Sequence, residues 1–498
     1  MSELSKRIAK MTPAQFAEVK RRLAEKNGGR PDAQPIPRRA PRFATRAPLS
    51  FSQQRLWFLN RLEPESYAFN ISNAVRLRGA LDVPALRRTL DEIVRRHEAL
   101  RTTFAEVGGE PVQLIAPALT PGLREVDLRH LPPAEREAEA LRLTTEEARK
   151  PFDLARGPLL RPFLLRLEEE QHVALLTMHH IVSDGWSMGV LVRELGALYA
   201  AYHAGRPSPL PELPLQYADF TTWQRERLRG DRLESLLAYW KKQLGGRLPV
   251  LELPTDRPRA AVFNFKGGAE SFALSPALSE SLGALGKREG ATTFMTLLAA
   301  IQILLQRYTG QDDIPVGVNI ANRERREIEG LIGFFINNLV MRGDLSDNPT
   351  FRELLRRTRE TTLGAYAHQE LPFEMLVEAL QPERGHNTTL FQVMFVMQNT
   401  PSPPLELPGL SLEPFRMLDE QSAFDLTFFT KETEQGLAGW LEYNSELFNA
   451  TTISRMLEML QRLLAEIAEN PDRHIEDFSA DAAEESRQII YAFNENLG

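Results

Sequence analysis

Between His172 and Tyr199 the chain passes from an apolar run, HVALLTM, to a helical one, WSMGVLVRELGALY, across only seven residues, HHIVSDG. The first run is short, apolar and partly β-branched, which reads as a buried strand. Over 186–204, Val190, Leu191, Glu194, Leu195, Leu198 and Tyr202 recur at helical spacing. A strand that becomes a helix through a polar loop is the joint of a mixed α/β fold, and loops held by two rigid elements are where chemistry collects. Adjacent side chains of an extended segment point to opposite faces, so His179 and His180 cannot serve one site together. One imidazole faces the core and the other a cleft. This argues against a metal pair, for which no suitable third ligand is apparent either. Asp184 is placed to fold the loop back on itself or to meet a cation elsewhere, and Gly185 lets the backbone approach a substrate or take a positive φ. From the loop alone two readings stand. One is a general base acting on a substrate's own nucleophile, because no serine or cysteine nucleophile sits beside the histidines in an elbow motif. The other is a pair of hydrogen-bonded core histidines.

Similar alternation runs through the rest of the chain. Strands are expected at RPFLLRL (161–167), HVALLTM (172–178), IPVGVNI (314–320) and GLAGWLEY (436–443). A helix is expected after Asp82, with Pro84 early and Leu86, Leu90, Ile93, Val94 and His97 on one face. With 498 residues, 42% of them hydrophobic, the chain can bury a large core in about two to four domains or lobes. A net charge of −7 gives no reason to expect a nucleic-acid partner. The chain has no cysteine, which removes disulfides, thiolate metal sites and cysteine nucleophiles and fits a reducing compartment. The N-terminus has no signal-like apolar core and no apolar run approaches membrane-spanning length, so a cytoplasmic protein without membrane contact is expected.

Residues 12–26 read as a short helix, with Thr12 as cap, Pro13 at its first position and Asn27-Gly28 as its stop. Its narrow stripe of Phe16, Val19 and Leu23 suits either loose packing or a contact with another chain. The following stretch, GGRPDAQPIPRRAPRFATRAP, holds five prolines and five arginines and reads as an extended linker. A second proline-rich stretch, 203–220, reads as the start of a crossover between two halves. The expected division is therefore a helix and possible docking element at 1–27, a linker at 28–48, lobes at 49–220 and 221–480, and a tail at 481–498.

HHIVSDG resembles the HHxxxDG signature of nonribosomal peptide synthetase condensation domains, within the chloramphenicol-acetyltransferase-like superfamily. In family order, SFSQQRLWFL (50–59) resembles the first condensation motif, RHEALRTTF (96–104) the second, YADFTTWQ (217–224) the fourth, IGFFINNLVMR (332–342) the fifth and HQELPFEMLV (368–377) the sixth. ERGHNTTLFQVMF (383–395) matches the seventh only in Leu390-Phe391-Gln392, lacking the usual Arg-Asp start and the proline before the leucine. The resemblance covers about 45–480, and QIIYAFNENLG (488–498) is similar to a linker leading into an adenylation domain.

The resemblance implies an α/β fold of two acetyltransferase-like lobes in a V-shaped pseudo-dimer, with the active site in a tunnel between them. It implies an acyltransferase that forms an amide bond, with no cofactor on the domain itself. Phosphopantetheine arms of partner carrier domains bring a donor acyl or peptidyl thioester and an acceptor amine. His180 is then the tunnel-facing catalytic residue and His179 its support. Asp184 resembles the family's structural aspartate, with Arg323 of NIANRER as its partner; Gly185 offers a backbone N–H to the reacting carbonyl, and Trp186 is a further supporting residue. Other implied partners are a downstream adenylation domain and an upstream synthetase subunit, the domain itself being a monomer. The wording looks most like the subclass joining an L-configured donor to an L-configured acceptor. Alternatives are a lipo-initiating starter domain, a stand-alone HHxxxDG acyltransferase using acyl-CoA, and a non-catalytic recruitment platform of the same fold. No EGHGRE-like segment marks an epimerisation domain, and His179 excludes a cyclisation domain.

Overall fold

The structure is a computed structural model that describes residues 35–246, 248–259, 266–380, 390–398, 405–417 and 421–478. The expected helix over 12–26, the tail 481–498 and the ERGHNTT segment lie outside the described residues. The first half runs β1 (Arg46–Pro48), α1 (Phe51–Leu62), β2 (Asn70–Arg78), α2 (Val83–Arg96), β3 (Thr102–Val107), β4 (Glu110–Ile115), β5 (Arg124–Asp127), α3 (Pro133–Ala148), β6 (Leu160–Glu168), β7 (Gln171–His179), α4 (Gly185–His203) and α5 (Tyr217–Arg227). Strands β2, β7, β6 and β5 are neighbours in that order, antiparallel except for the last pair. Strand periodicity sorts β7 between two cores. Val173 and Leu175 join Ala140 of α3 on one face, while Met178 packs on the other with Ile93 and Val94 of α2 and Leu191 and Leu198 of α4. Both faces are covered, which is why HVALLTM is apolar throughout. The expected strands at 161–167 and 172–178 lie within β6 and β7, and Asp82 caps α2 by accepting from the Ala85 N–H at 2.9 Å.

The second half runs α6 (Gly230–Leu244), β8 (Gly267–Ala273), α7 (Pro276–Arg288), α8 (Thr293–Thr309), β9 (Asp313–Ile320), α9 (Arg326–Glu329), β10 (Asn337–Asp344), α10 (Phe351–Ala367), α11 (Phe373–Leu380), β11 (Val393–Met397), β12 (Ser411–Pro414), β13 (Leu426–Thr433), β14 (Gly436–Asn444) and α12 (Ala450–Glu469). Its sheet has the order β10-β9-β11-β13-β14-β8. Helix α8 is apolar around most of its circumference and is correspondingly buried, from Met295 to Leu305 without a break. The molecule is therefore two mixed α/β lobes. Among the described residues, no helix is long and apolar enough to cross a membrane.

Three boundaries differ from the expected division. The cut at 220/221 falls inside α5, whose Asp219 and Ala218 pack on the first lobe; the chain turns into the second lobe at Gly230, which has a positive φ of 52°. Residues 35–48 are no linker. Ile36 is buried, Arg39 is ion-paired, and Arg46–Pro48 pair with β4 as a strand. Finally, β12 of the second half pairs antiparallel with β2 and so completes the first lobe's sheet. Leu407, beside that strand, is buried with Leu77, Leu86 and Tyr199. At the contact Gly79, with φ 122°, approaches the crossing chain so closely that a Cβ would lie 2.2 Å from the Gly409 carbonyl oxygen.

Gly79→Ala therefore combines strain at a positive φ with a clash against backbone, and is expected to cost about 1–3 kcal/mol. Urea unfolding should show the loss, and limited proteolysis should show faster cleavage within 405–417. An unchanged midpoint and cleavage pattern would contradict the docking of the crossing strand.

Candidate active site at the strand-to-helix loop

β7 ends at His179, a short 3-10 turn covers His180–Val182, and α4 begins at Gly185. His179 is 2% exposed, with Phe69 and Phe152 rings at 6.3 and 6.0 Å. Its Nδ1 accepts the Ile181 N–H at 3.1 Å. Burial, reinforced by the neighbouring His180 and Arg161, pushes its pKa down to about 3, so it stays neutral. This ring is packing and loop support, turned away from any cleft.

His180 is different. Its N–H donates to the Phe69 carbonyl at 2.8 Å, which anchors the backbone. Its Nδ1 lies 2.8 Å from the Ser183 carbonyl oxygen, which can only accept. The proton is therefore on Nδ1. Burial lowers its pKa, partly opposed by Asp184 and the Ser183 hydrogen bond, so the neutral form dominates and Nε2 carries a bare lone pair. The ring is only half-buried, in contrast to that of His179. Phe334 of the second lobe meets it edge-on, with centroids 4.8 Å apart.

Asp184 is fully buried and is the N-cap of α4. Its Oδ1 accepts from the Ser187 N–H at 2.8 Å, the Ser187 hydroxyl at 2.7 Å and Arg323 Nη2 at 3.2 Å, while Oδ2 accepts the Phe335 N–H at 2.9 Å. Arg323 also donates to the Ile328 and Leu331 carbonyls at 2.7 and 2.8 Å, and its guanidinium carbon sits 3.9 Å from the Phe335 ring centre. The pair thus meets in the buried interior, where most of its contacts fix backbone. Gly185 does not have a positive φ; of the two uses open to it, close approach remains, because a Cβ there would meet nothing within 4 Å. Asp184 caps the Ser187 N–H, leaving those of Gly185 and Trp186 without an acceptor among the described residues, at the positive end of the helix dipole. Trp186 donates its indole N–H to the Glu329 carbonyl at 2.8 Å.

Sequence reasoning missed the groups that hold the facing turn. Glu194, counted with the apolar stripe of α4, accepts from Arg96 through both oxygens at 3.0 Å and from His97 Nε2 at 3.0 Å. Burial pushes this carboxyl up, but the His97 and Arg96 hydrogen bonds outweigh it and hold it near about 2. His97 Nδ1 accepts the Ile332 N–H at 3.2 Å, so the proton of this ring is on Nε2. Tyr217 donates to the Phe334 carbonyl at 2.5 Å and lies 3.0 Å from the Ser50 hydroxyl, while Gln53 donates to the Ile181 carbonyl at 3.0 Å. The signal available was a polar residue at a helical position that should be apolar.

The geometry brings together the segments HHIVSDGWS, SFSQQ, RHE, YADF and IGFF, and comparison with known proteins agrees with it. The model of the condensation-domain family matches residues 44–490. One of the linear gramicidin synthase proteins of Brevibacillus parabrevis is 51% identical over 451 residues, 90% of this chain but 6% of that protein. Phosphinothricin tripeptide synthetase PhsC of Streptomyces viridochromogenes is 43% identical over 98% of this chain and 46% of its own length. The chain thus spans less than half the length of these relatives. Among solved structures, the X-domain from teicoplanin biosynthesis superposes with a TM-score of 0.82 at 30% identity, covering 90% of this chain and 100% of that one.

Removing either member of a desolvated ion pair leaves a buried charge, so Asp184→Ala and Arg323→Ala are each expected to cost about 3–5 kcal/mol. The double variant should cost clearly less than their sum, as chemical denaturation would show. Strict additivity would mean that the two side chains do not act on one another.

Proposed function

The chain belongs to the condensation-domain family and is a condensation domain of a nonribosomal peptide synthetase, and from that premise we propose how its loop works. The carrier-tethered acceptor amine attacks the carbonyl carbon of a carrier-tethered acyl or peptidyl thioester. As the C–N bond forms and the C–S bond breaks, His180 Nε2 takes the amine's proton and passes it to the departing thiolate. The observation that carries this reading is the Nδ1–H bond to Ser183, which leaves the accessible nitrogen of a neutral imidazole free to accept. The N–H groups of Gly185 and Trp186 suit the developing oxyanion, being donors at a helix start with no acceptor among the described residues. His179, Asp184, Arg323 and the Trp186 indole hold the loop and touch no reacting atom.

The donor and acceptor arms come from two carrier domains, and the adenylation domain that selects the acceptor follows in the parent protein; an upstream synthetase subunit supplies the donor. The relatives' names, each a peptide synthase or synthetase, support this assembly. We assign the chain to the L-donor, L-acceptor subclass on the wording of HHIVSDGWS. Aminolysis of a thioester is downhill, so alignment and one proton acceptor suffice.

His180→Ala should lower single-turnover amide formation by about 10²–10⁴-fold in a chain that still folds. Because burial depresses the His180 pKa, its neutral form persists to lower pH. The acid limb of the kcat/KM profile should therefore fall below the ordinary histidine value of about 6.5 and vanish in the variant. A folded His180→Ala with full activity, or an acid limb it leaves unmoved, would exclude the proton-transfer role.

A further inference from the structure

The segment 35–39, proline- and arginine-rich and outside every strand and helix, is seated across both lobes. Ile36 is 4% exposed, in a cluster with Ala99, Leu215 and Phe220 of the first lobe and Ile328, Leu331 and Phe335 of the second. Its N–H donates to Glu327 Oε1 at 3.0 Å. Arg38 donates to the Pro214 carbonyl at 2.8 Å. Arg39 pairs with Glu98 at 2.6 Å and Asp219 at 2.8 Å, and its own N–H donates to Asp219 at 3.1 Å. These contacts fall on the turn that carries the site. Ile328 and Leu331, which Ile36 packs against, give their carbonyls to Arg323; Phe334 in the same turn meets His180, and Phe335 donates to Asp184.

We infer that residues 35–39 are a positioning strap for condensation: seated on the 326–335 turn, they fix where Phe334 and Asp184 stand around His180. The inference rests on the proposed role of His180. Ile36 and Glu327 touch no reacting atom, and they act through the turn. If the strap lifts, the turn loses an apolar backing, and water gains access beside the His180 ring. The charged and titratable groups facing that ring are Asp184 at the start of α4 and His179 on β7, and the strap reaches Asp184 only through Phe335 of the turn. A change in the environment of His180 therefore reports the turn.

The test compares the whole chain with its Ile36→Ser variant, each labelled with ¹⁵N-histidine and His180 assigned through His180→Gln. In folded Ile36→Ser the His180 titration should move upward towards the ordinary value, and turnover with loaded carrier domains should fall on the order of tenfold to 10²-fold, the effect of a small misplacement. Ile36→Val should restore both. An unmoved titration in folded Ile36→Ser overturns the strap. If Ile36→Ser does not fold, Glu327→Ala and Glu327→Gln decide, since glutamine keeps an oxygen for the Ile36 N–H: a shift in the first and none in the second supports the strap, while no shift in the first overturns it. The titration needs no substrate. A shifted titration in a chain whose wild type forms no amide would thus sink the proposed role of His180 and leave the strap's structural coupling standing.

Discussion

The turn that leaves α9 and runs to Phe335 is exposed at Glu329 but mostly buried beyond Gly330, and buried backbone must find partners for its polar groups or cost several kcal/mol for each one it leaves bare. Here the partners are side chains from both lobes. Arg323 takes the Ile328 and Leu331 carbonyls, Trp186 the Glu329 carbonyl and Tyr217 the Phe334 carbonyl; His97, Ser187 and Asp184 take the N–H groups of Ile332, Gly333 and Phe335. Most of these belong to the first lobe while the turn belongs to the second. Neither lobe presents this constellation alone. The close fit extends to Gly333, where a Cβ would lie 2.1 Å from the Tyr217 ring.

That arrangement also sets the electrostatics around the imidazole. Asp184 faces His180 and favours its protonated form against burial, but its charge is paired with Arg323 and engaged by Ser187 and Phe335. Had Arg323 stood free beside the imidazole, it would depress the basicity of Nε2 further; had Asp184 stood free, it would favour the protonated ring more strongly than it does. The two neighbouring histidines show the same principle in burial. One is sealed among Phe69 and Phe152, and the other, where the strand gives way to a turn, is only half-buried.

The local features were legible in the sequence. HVALLTM and the helix after Asp184 were readable because periodicity and capping are properties of adjacent residues. Strand alternation predicted that the two histidines differ in burial, and they do, though His180 lies beyond the strand in a 3-10 turn that alternation does not describe. The segment 35–48 was misread for the converse reason. Its prolines and arginines look like a solvated linker until Asp219, Glu98 and Glu327, distant in sequence, supply partners for its donors. Glu194 and His97 were hidden in the same way: each continues an apolar helical stripe in the sequence, His97 just past the end of α2, and only long-range folding shows that they satisfy Arg96 and Ile332. The crossing strand Ser411–Pro414 carries no local mark that it pairs with another lobe's sheet rather than its own.

Aminolysis of a thioester demands little acid–base power and much alignment, which fits a site where one imidazole is surrounded by positioning contacts. On the proposed reading two carrier-tethered groups meet beside His180, and the side chains that wall this ring set their alignment. A wall made from one continuous loop would move with that loop's own fluctuations. Here the wall near His180 is Phe334, on a turn anchored at successive backbone groups by His97 beyond α2, Ser187 of α4, Tyr217 of α5 and Arg323 between β9 and α9. Each anchor restrains a different peptide unit, so loosening one leaves the others to limit the displacement.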